Sequence, residues 1–182
     1  WSGARMGTNV LAANALLMNF QSFLAHGLDG FAHATSALVG EAVGARNRRL
    51  LRDTVIAATL MAAGVAVAYA LVYAIFGAYL LALLTDIEPL REFAGSFLPW
   101  MALSPLLSVW SYQLDGIFIG ATRAGEMRNA MLVSVVLYTV AVFTLPTYLG
   151  NHGLWASVML FMVLRALTLA LFYPRVERMV AE

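Results

Sequence analysis

The chain has 182 residues, of which 62% are hydrophobic and only 12% are charged. Soluble domains average roughly 25% charged residues, so this chain has too few to cover a surface exposed to water. The net charge of +1 gives no basis for nucleic-acid binding, and the absence of cysteine excludes disulfides and cysteine metal sites. The composition predicts an integral membrane protein.

Five apolar stretches are long enough to cross a bilayer, which takes about 20 residues of helix. In chain order, the predicted spans cover about residues 9–43, 54–76, 93–121, 129–147 and 154–173. The first is longer than one crossing, so it must tilt, bend or extend beyond the membrane. The sequence therefore predicts an all-α membrane protein. Because the chain starts at Trp1 and not at methionine, we interpret it as a piece of a longer polypeptide.

The distribution of arginine predicts how the spans are oriented. The segments after the first, third and fifth spans contain Arg46, Arg48, Arg49, Arg52, Arg123, Arg128, Arg175 and Arg178. The opposite side has only Arg5 and Arg91. Since segments rich in arginine stay in the cytoplasm, the amino end is predicted outside and the carboxyl end in the cytoplasm.

Two aspartates, Asp29 and Asp115, lie inside predicted spans. A carboxylate at membrane depth costs about 2.5–3.5 kcal/mol on insertion scales, so it usually faces a partner or a polar cavity. Asp115 is our first candidate for binding a proton or cation, with Tyr112 three residues earlier on the same helical face. Asp29 is the second candidate. For Asp115 the alternative is structural, as a helix cap or as the partner of an arginine.

Arg165 is the only basic residue inside a predicted span, and it needs a counter-charge or a route to the membrane surface. Its candidate partners are Asp115, Asp29 and Glu41. A pair with Asp115 would keep that carboxylate ionised and weaken its role as a proton site.

The first span contains further polar residues. His26 and His33 flank Asp29 at i−3 and i+4, which suits polar packing or a proton relay. No metal site is expected, because these three side chains on one straight helix do not converge on a single ion. Asn14 and Gln21 either line a substrate cavity or hydrogen-bond neighbouring helices. The candidate cavity residues are therefore Asn14, Gln21, His26 and His33, and no cofactor is expected.

Three stretches resemble the DinF branch of the multidrug and toxic compound extrusion (MATE) family. They are LDGFA at 28–32 with ALVGEAVGAR at 37–46, LDGIFIGATR at 114–123 with EMRN at 126–129, and LP at 145–146 with GNHGLW at 150–155. The resemblance implies a fold of twelve helices in two bundles. This chain would supply the last five helices and, at 1–7, the tail of the seventh. The amino-terminal bundle would be absent.

The resemblance also implies a function, as part of a cation-coupled antiporter of the bacterial cytoplasmic membrane that is driven by protons or sodium. It would export organic, often cationic compounds. Its partners would be the coupling cation, these substrates, membrane lipids and the missing amino-terminal bundle. The best-known proton-binding carboxylates of this branch belong to that missing bundle. Sodium-coupled relatives of the NorM type have a helix-ten aspartate near the position of Tyr112, so this sequence departs from their site.

Two other functions stay open from the sequence. One is a flippase of the wider superfamily that moves a lipid-linked substrate. The other is a membrane enzyme acting on lipid substrates, with Asp29 and its histidines as the site. The sequence shows no nucleophile paired with a base, no phosphate-binding loop and no metal-ligand set, so an enzyme is not expected.

Overall fold

A computed structural model describes residues 7–180 as helices joined by short connections. The helices are α1 (Thr8–Gly44), α2 (Arg48–Leu84), α3 (Glu88–Gly95), α4 (Leu98–Gly120) and α5 (Ala124–Met179). No strand occurs in this part of the chain, which confirms the all-α class. Arg5 and the assignment of residues 1–6 to the tail of a preceding helix lie outside the described residues.

Two helices, α2 and α5, are long and apolar enough to cross a membrane, and α3 with α4 makes a third candidate span if the bent pair is taken as one crossing. α5 contains both the fourth and the fifth predicted spans. α1 matches the first predicted span to within one residue at each end, but its polar residues keep it below the hydropathy of the other spans. The all-α membrane fold is confirmed, while the boundaries of the five crossings stay a prediction.

The arginine-rich segment before the second predicted span is helical. α2 begins at Arg48 because Asn47 caps it, accepting a hydrogen bond from the backbone N–H of Leu50 at 3.0 Å. Hydropathy placed the start of this helix near Thr54, because hydropathy reports contact with lipid and not backbone hydrogen bonding.

The third predicted span is divided into two helices, with a bend of 47° between α3 and α4.

α5 consists of two helical arms that reverse direction at Gly150. This glycine has φ 54° and ψ −136°, which is not a helical conformation. The rings of Tyr138 and Phe161 lie 5.4 Å apart, and the hydroxyl oxygens of Ser134 and Thr168 lie 3.5 Å apart. These contacts show that the arms run antiparallel, so the fourth and fifth predicted spans form a helical hairpin.

We expect Gly150→Ala to destabilise this hairpin by about 1–3 kcal/mol, because a residue with a Cβ rarely adopts the backbone conformation found here. The melting temperature of the intact protein in detergent, followed by tryptophan fluorescence, measures the effect. Gly125→Ala is the control, since a Cβ there meets nothing within 4 Å. A G150A variant that melts with the wild type would contradict this account of the reversal.

The buried apolar residues form two clusters, one toward each end of the bundle. The first cluster includes Leu17, Leu24, Tyr73, Met101 and Trp155. The second cluster includes Val39, Leu51, Phe118, Leu169 and Val176. Polar residues of α1, α4 and α5 lie between the two clusters, and we call them the polar layer: Thr35, Ser111, Gln113, Asp115 and Arg165. The bundle thus has a polar middle enclosed by two apolar ends.

α1 and α4 approach each other closely beside this layer. A Cβ added at Gly116 would overlap the carbonyl oxygen of Ala32, and one at Gly120 would overlap that of Ser36. Small residues four apart commonly let membrane helices pack in this way. The two glycines fix the register of α4 on α1, and this register sets the depth of Asp115.

Candidate functional site

The centre of the polar layer is an ion pair between α4 and α5. An Nη of Arg165 lies 2.5 Å from Oδ2 of Asp115, and the two side chains are 23% and 11% exposed. The sequence left three candidate partners for Arg165, and the structure places Asp115 against it.

Thr35 and Gln113 extend the polar layer between α1 and α4. Their side chains form two hydrogen bonds of 3.0 and 3.2 Å, and both residues are buried. The hydroxyls of Ser108 and Ser111 and Oδ1 of Asp115 are also buried, without a hydrogen-bond partner among the described residues. Spacings of three and four residues put these three groups on one face of α4. This face therefore keeps hydrogen-bonding capacity inside the bundle.

Asp29 lies on an exposed face of α1. It forms no ion pair within residues 7–180. Tyr112 is half-buried. Tyr112 lies on α4 next to Ser111 of the polar layer, three residues before Asp115.

A line of polar residues follows that face of α1, and we call it the polar stripe: Asn19, Ser22, His26, Asp29 and His33. All five are exposed, and their spacing of three or four residues places them on one side of the helix. Nδ1 of His26 lies 2.6 Å from the backbone carbonyl oxygen of Ser22. Within residues 7–180, no three His, Asp or Glu side chains are grouped closely enough to hold a metal ion.

The other two candidate cavity residues make contacts between helices. Asn14 is buried, exchanges hydrogen bonds of 2.8 and 3.0 Å with Asn151, and accepts one from the indole N–H of Trp155 at 3.0 Å. Gln21 is half-buried and bonds the hydroxyl of Ser104 at 2.8 and 2.9 Å. Both side chains hydrogen-bond neighbouring helices, which is one of the two roles that the sequence allowed. Asn14 joins α1 to α5, and Gln21 joins α1 to α4. A role in a substrate cavity stays a prediction.

A second charged cluster joins the start of α2 to the end of α5, and we call it the α2–α5 clamp. Glu177 accepts hydrogen bonds from Arg52 at 2.7 and 3.1 Å and from Arg48 at 2.9 Å. These bonds, first those from Arg52 and then those from Arg48, lower the pKa of Glu177 to about 2. This contact could not be predicted from the sequence, because Arg52 and Glu177 lie 125 positions apart and no local pattern relates them.

The clamp should persist in mild acid. Since the pKa of Glu177 is held below its usual 4.5, the contribution of the clamp is complete above about pH 5 and is lost as the pH falls toward 2. We expect the wild type to melt above Glu177→Gln, with a constant difference from neutral pH down to about 5 and a decreasing one below 4.5. Melting curves of both proteins across this range measure it. A difference that vanishes already near pH 6 would contradict the assignment.

Long helices enclosing a charged pair between two apolar clusters define a multi-pass membrane protein with a polar interior. The MatE family model matches residues 1–146. The chain is 43% identical over 173 residues to DNA damage-inducible protein F of Escherichia coli (strain K12), covering 95% of this chain and 38% of that protein. The chain belongs to the MATE family, and the resemblance seen in its motifs is confirmed.

A solved structure agrees with this assignment at the level of the fold. The eukaryotic MATE transporter AtDTX14 superimposes with a TM-score of 0.82 at 18% identity, over 93% of this chain and 39% of that one. The chain therefore spans about two fifths of the length of either relative. It corresponds to one part of a MATE transporter fold.

Proposed function

We propose that this chain forms the carboxyl-terminal bundle of a cation-coupled antiporter that exports organic, often cationic compounds across a bacterial cytoplasmic membrane. One observation carries the proposal, and it is the polar stripe on α1. A charged carboxylate facing lipid is costly, by about 2.5–3.5 kcal/mol on insertion scales. The stripe is therefore expected to face an aqueous cavity, and membership of the MATE family supports a cavity shared with a second bundle.

Within this stripe we infer that Asp29 binds the coupling cation. Asp29 is exposed and has no basic partner in the described chain, whereas Asp115 is already paired with Arg165. The contacts therefore favour Asp29 over Asp115 as the cation-binding residue, whereas the sequence ranked Asp115 first. Asp115 and Arg165 then act as a fixed pair that holds α4 against α5.

His26 and His33 lie one turn to either side of Asp29 and are the best candidates for contact with substrate. Both rings are exposed on the polar stripe, in contrast to the buried Asn14. We further propose that the amino end of the chain is outside the cell and the carboxyl end in the cytoplasm, as the arginine distribution predicts.

Transport and not catalysis is proposed for these residues. Within residues 7–180 no serine or threonine hydroxyl is hydrogen-bonded to a histidine ring, since His26 contacts a backbone carbonyl and His152 the indole of Trp100. A hydrolase would need such a nucleophile–base contact. No contact in this part of the chain favours the flippase.

Export of a fluorescent organic cation by vesicles containing the intact protein tests the role of Asp29. We expect Asp29→Asn to reduce export driven by a cation gradient by more than about tenfold, because the neutral amide cannot exchange a proton or balance a cation. Asp53→Asn, an exposed acid at the start of α2, is the matched control and should keep wild-type export. Undiminished export by D29N would remove Asp29 from the coupling site.

A further inference from the structure

We propose that the groove between the start of α2 and the end of α5 binds an anionic phospholipid from the surrounding membrane. The groove has a volume of about 530 Å³. Its rim is formed by Arg52, Tyr173 and Glu177, and its wall by Val55, Ile56 and Leu60. The proposal does not depend on transport.

The groove has the two-part character of a phospholipid. Arg52 and Leu60 are eight residues apart on one helix, which corresponds to about 12 Å along its axis. Charged groups lie at one end of this length and aliphatic side chains at the other. Ile56 and Leu60 are 59% and 69% exposed, so the wall is open to the membrane along its side. A headgroup at Arg52 therefore places its acyl chain against the aliphatic wall.

The charge around the rim is strongly positive. Residues 46–53 and 174–178 contain six arginines and two acids, namely Arg46, Arg48, Arg49, Arg52, Arg175, Arg178, Asp53 and Glu177. Clusters of basic residues between helices at the membrane surface bind anionic lipid headgroups. The surplus charge selects an anionic lipid over a zwitterionic one.

The two arginines of the clamp have hydrogen-bonding capacity beyond Glu177. Glu177 takes the Nε–H and one Nη–H of Arg52 and one Nη–H of Arg48. A guanidinium carries about five N–H groups, so both arginines keep several for other acceptors. Their side chains are 53% and 49% exposed. Phosphate oxygens suit these planar donors well.

Native mass spectrometry of the intact protein with phosphatidylglycerol or phosphatidylcholine tests the site. We expect the wild type to retain phosphatidylglycerol preferentially, and Arg48→Gln with Arg52→Gln to lower its retention about tenfold. Ile56→Trp should also lower the retention of phosphatidylglycerol, because the larger side chain occupies the part of the groove where the acyl chain would lie. Arg49→Gln is the matched control, because it removes a charge from the same turn but neither lines the groove nor bonds Glu177 at its rim, and its retention should stay within about twofold.

Glu177→Gln separates lipid binding from simple loss of the clamp. This change breaks the ion pairs but leaves both arginines, so phosphatidylglycerol should be retained equally or more strongly. Loss of the lipid in E177Q, or equal losses in R49Q and the double arginine variant, would overturn the proposal. So would equal retention of phosphatidylcholine, full retention in I56W, or displacement of the lipid by inorganic phosphate at equal concentration.

Discussion

Replacing Arg165 with methionine should destabilise the intact protein by about 3 kcal/mol, which is one of the two largest effects expected from these contacts. The change leaves the carboxylate of Asp115 buried without its counter-charge, and breaking one side of a buried ion pair typically costs about 3–5 kcal/mol. We take the lower end because the side chain of Arg165 is 23% exposed. The melting temperature in detergent should fall by roughly 6–12 °C.

A double substitution provides the control for this prediction. Arg165→Met combined with Asp115→Leu removes both charges and keeps apolar volume, so it should recover most of the lost stability. If R165M alone melts with the wild type, the pair is not a buried contact. If the double variant is as unstable as R165M, the loss comes from packing of the Arg165 side chain and not from the stranded charge.

Replacing Gly116 with alanine should lower the free energy of unfolding by about 2 kcal/mol or more. The new Cβ would overlap the backbone of α1 at Ala32, so a helix backbone must move and a side-chain rotation cannot relieve the contact. Because the polar layer depends on this register, we also expect the Asp115–Arg165 contact to loosen. Thermal unfolding of G116A in detergent measures the cost.

Gly64→Ala is the matched control for this helical glycine. A Cβ at Gly64 meets nothing within 4 Å, and the change should stabilise α2 by about 0.5–1 kcal/mol through helix propensity. Opposite signs for the two substitutions would show that close packing sets the cost at Gly116. A stabilised G116A variant would contradict the close approach of α1 and α4.

Local patterns in the sequence predicted the helices and the charged residues inside them. Apolar length located α1 to within one residue at each end, and the rarity of charge inside spans singled out Asp29, Asp115 and Arg165. The Gly116–Gly120 spacing is local as well, and it marks a face of α4 that can pack closely without identifying the partner helix. These features are local, because they depend on a residue and its neighbours along one helix.

The partners of the charged residues could not be predicted in the same way. Arg165 had three possible acids, and the choice depends on how α4 lies against α5. Glu177 and Arg52 are in contact although they lie 125 positions apart in the chain, and helical periodicity cannot report such a contact. The position of the bend between α3 and α4 could not be predicted, because hydropathy continues through the break. The partner of a charged residue and the position of a bend both depend on how the helices pack together. Patterns within one helix do not report this packing.

The most direct test of the account is cation-driven transport by the intact wild-type protein in sealed vesicles. We predict that an imposed proton or sodium gradient alone drives uptake of a fluorescent organic cation against its own concentration gradient. Uptake should stop when the cation gradient is dissipated, because exchange with that cation is the only energy source in an antiporter. Accumulation that continues without a cation gradient, or none with either gradient imposed, would contradict the account.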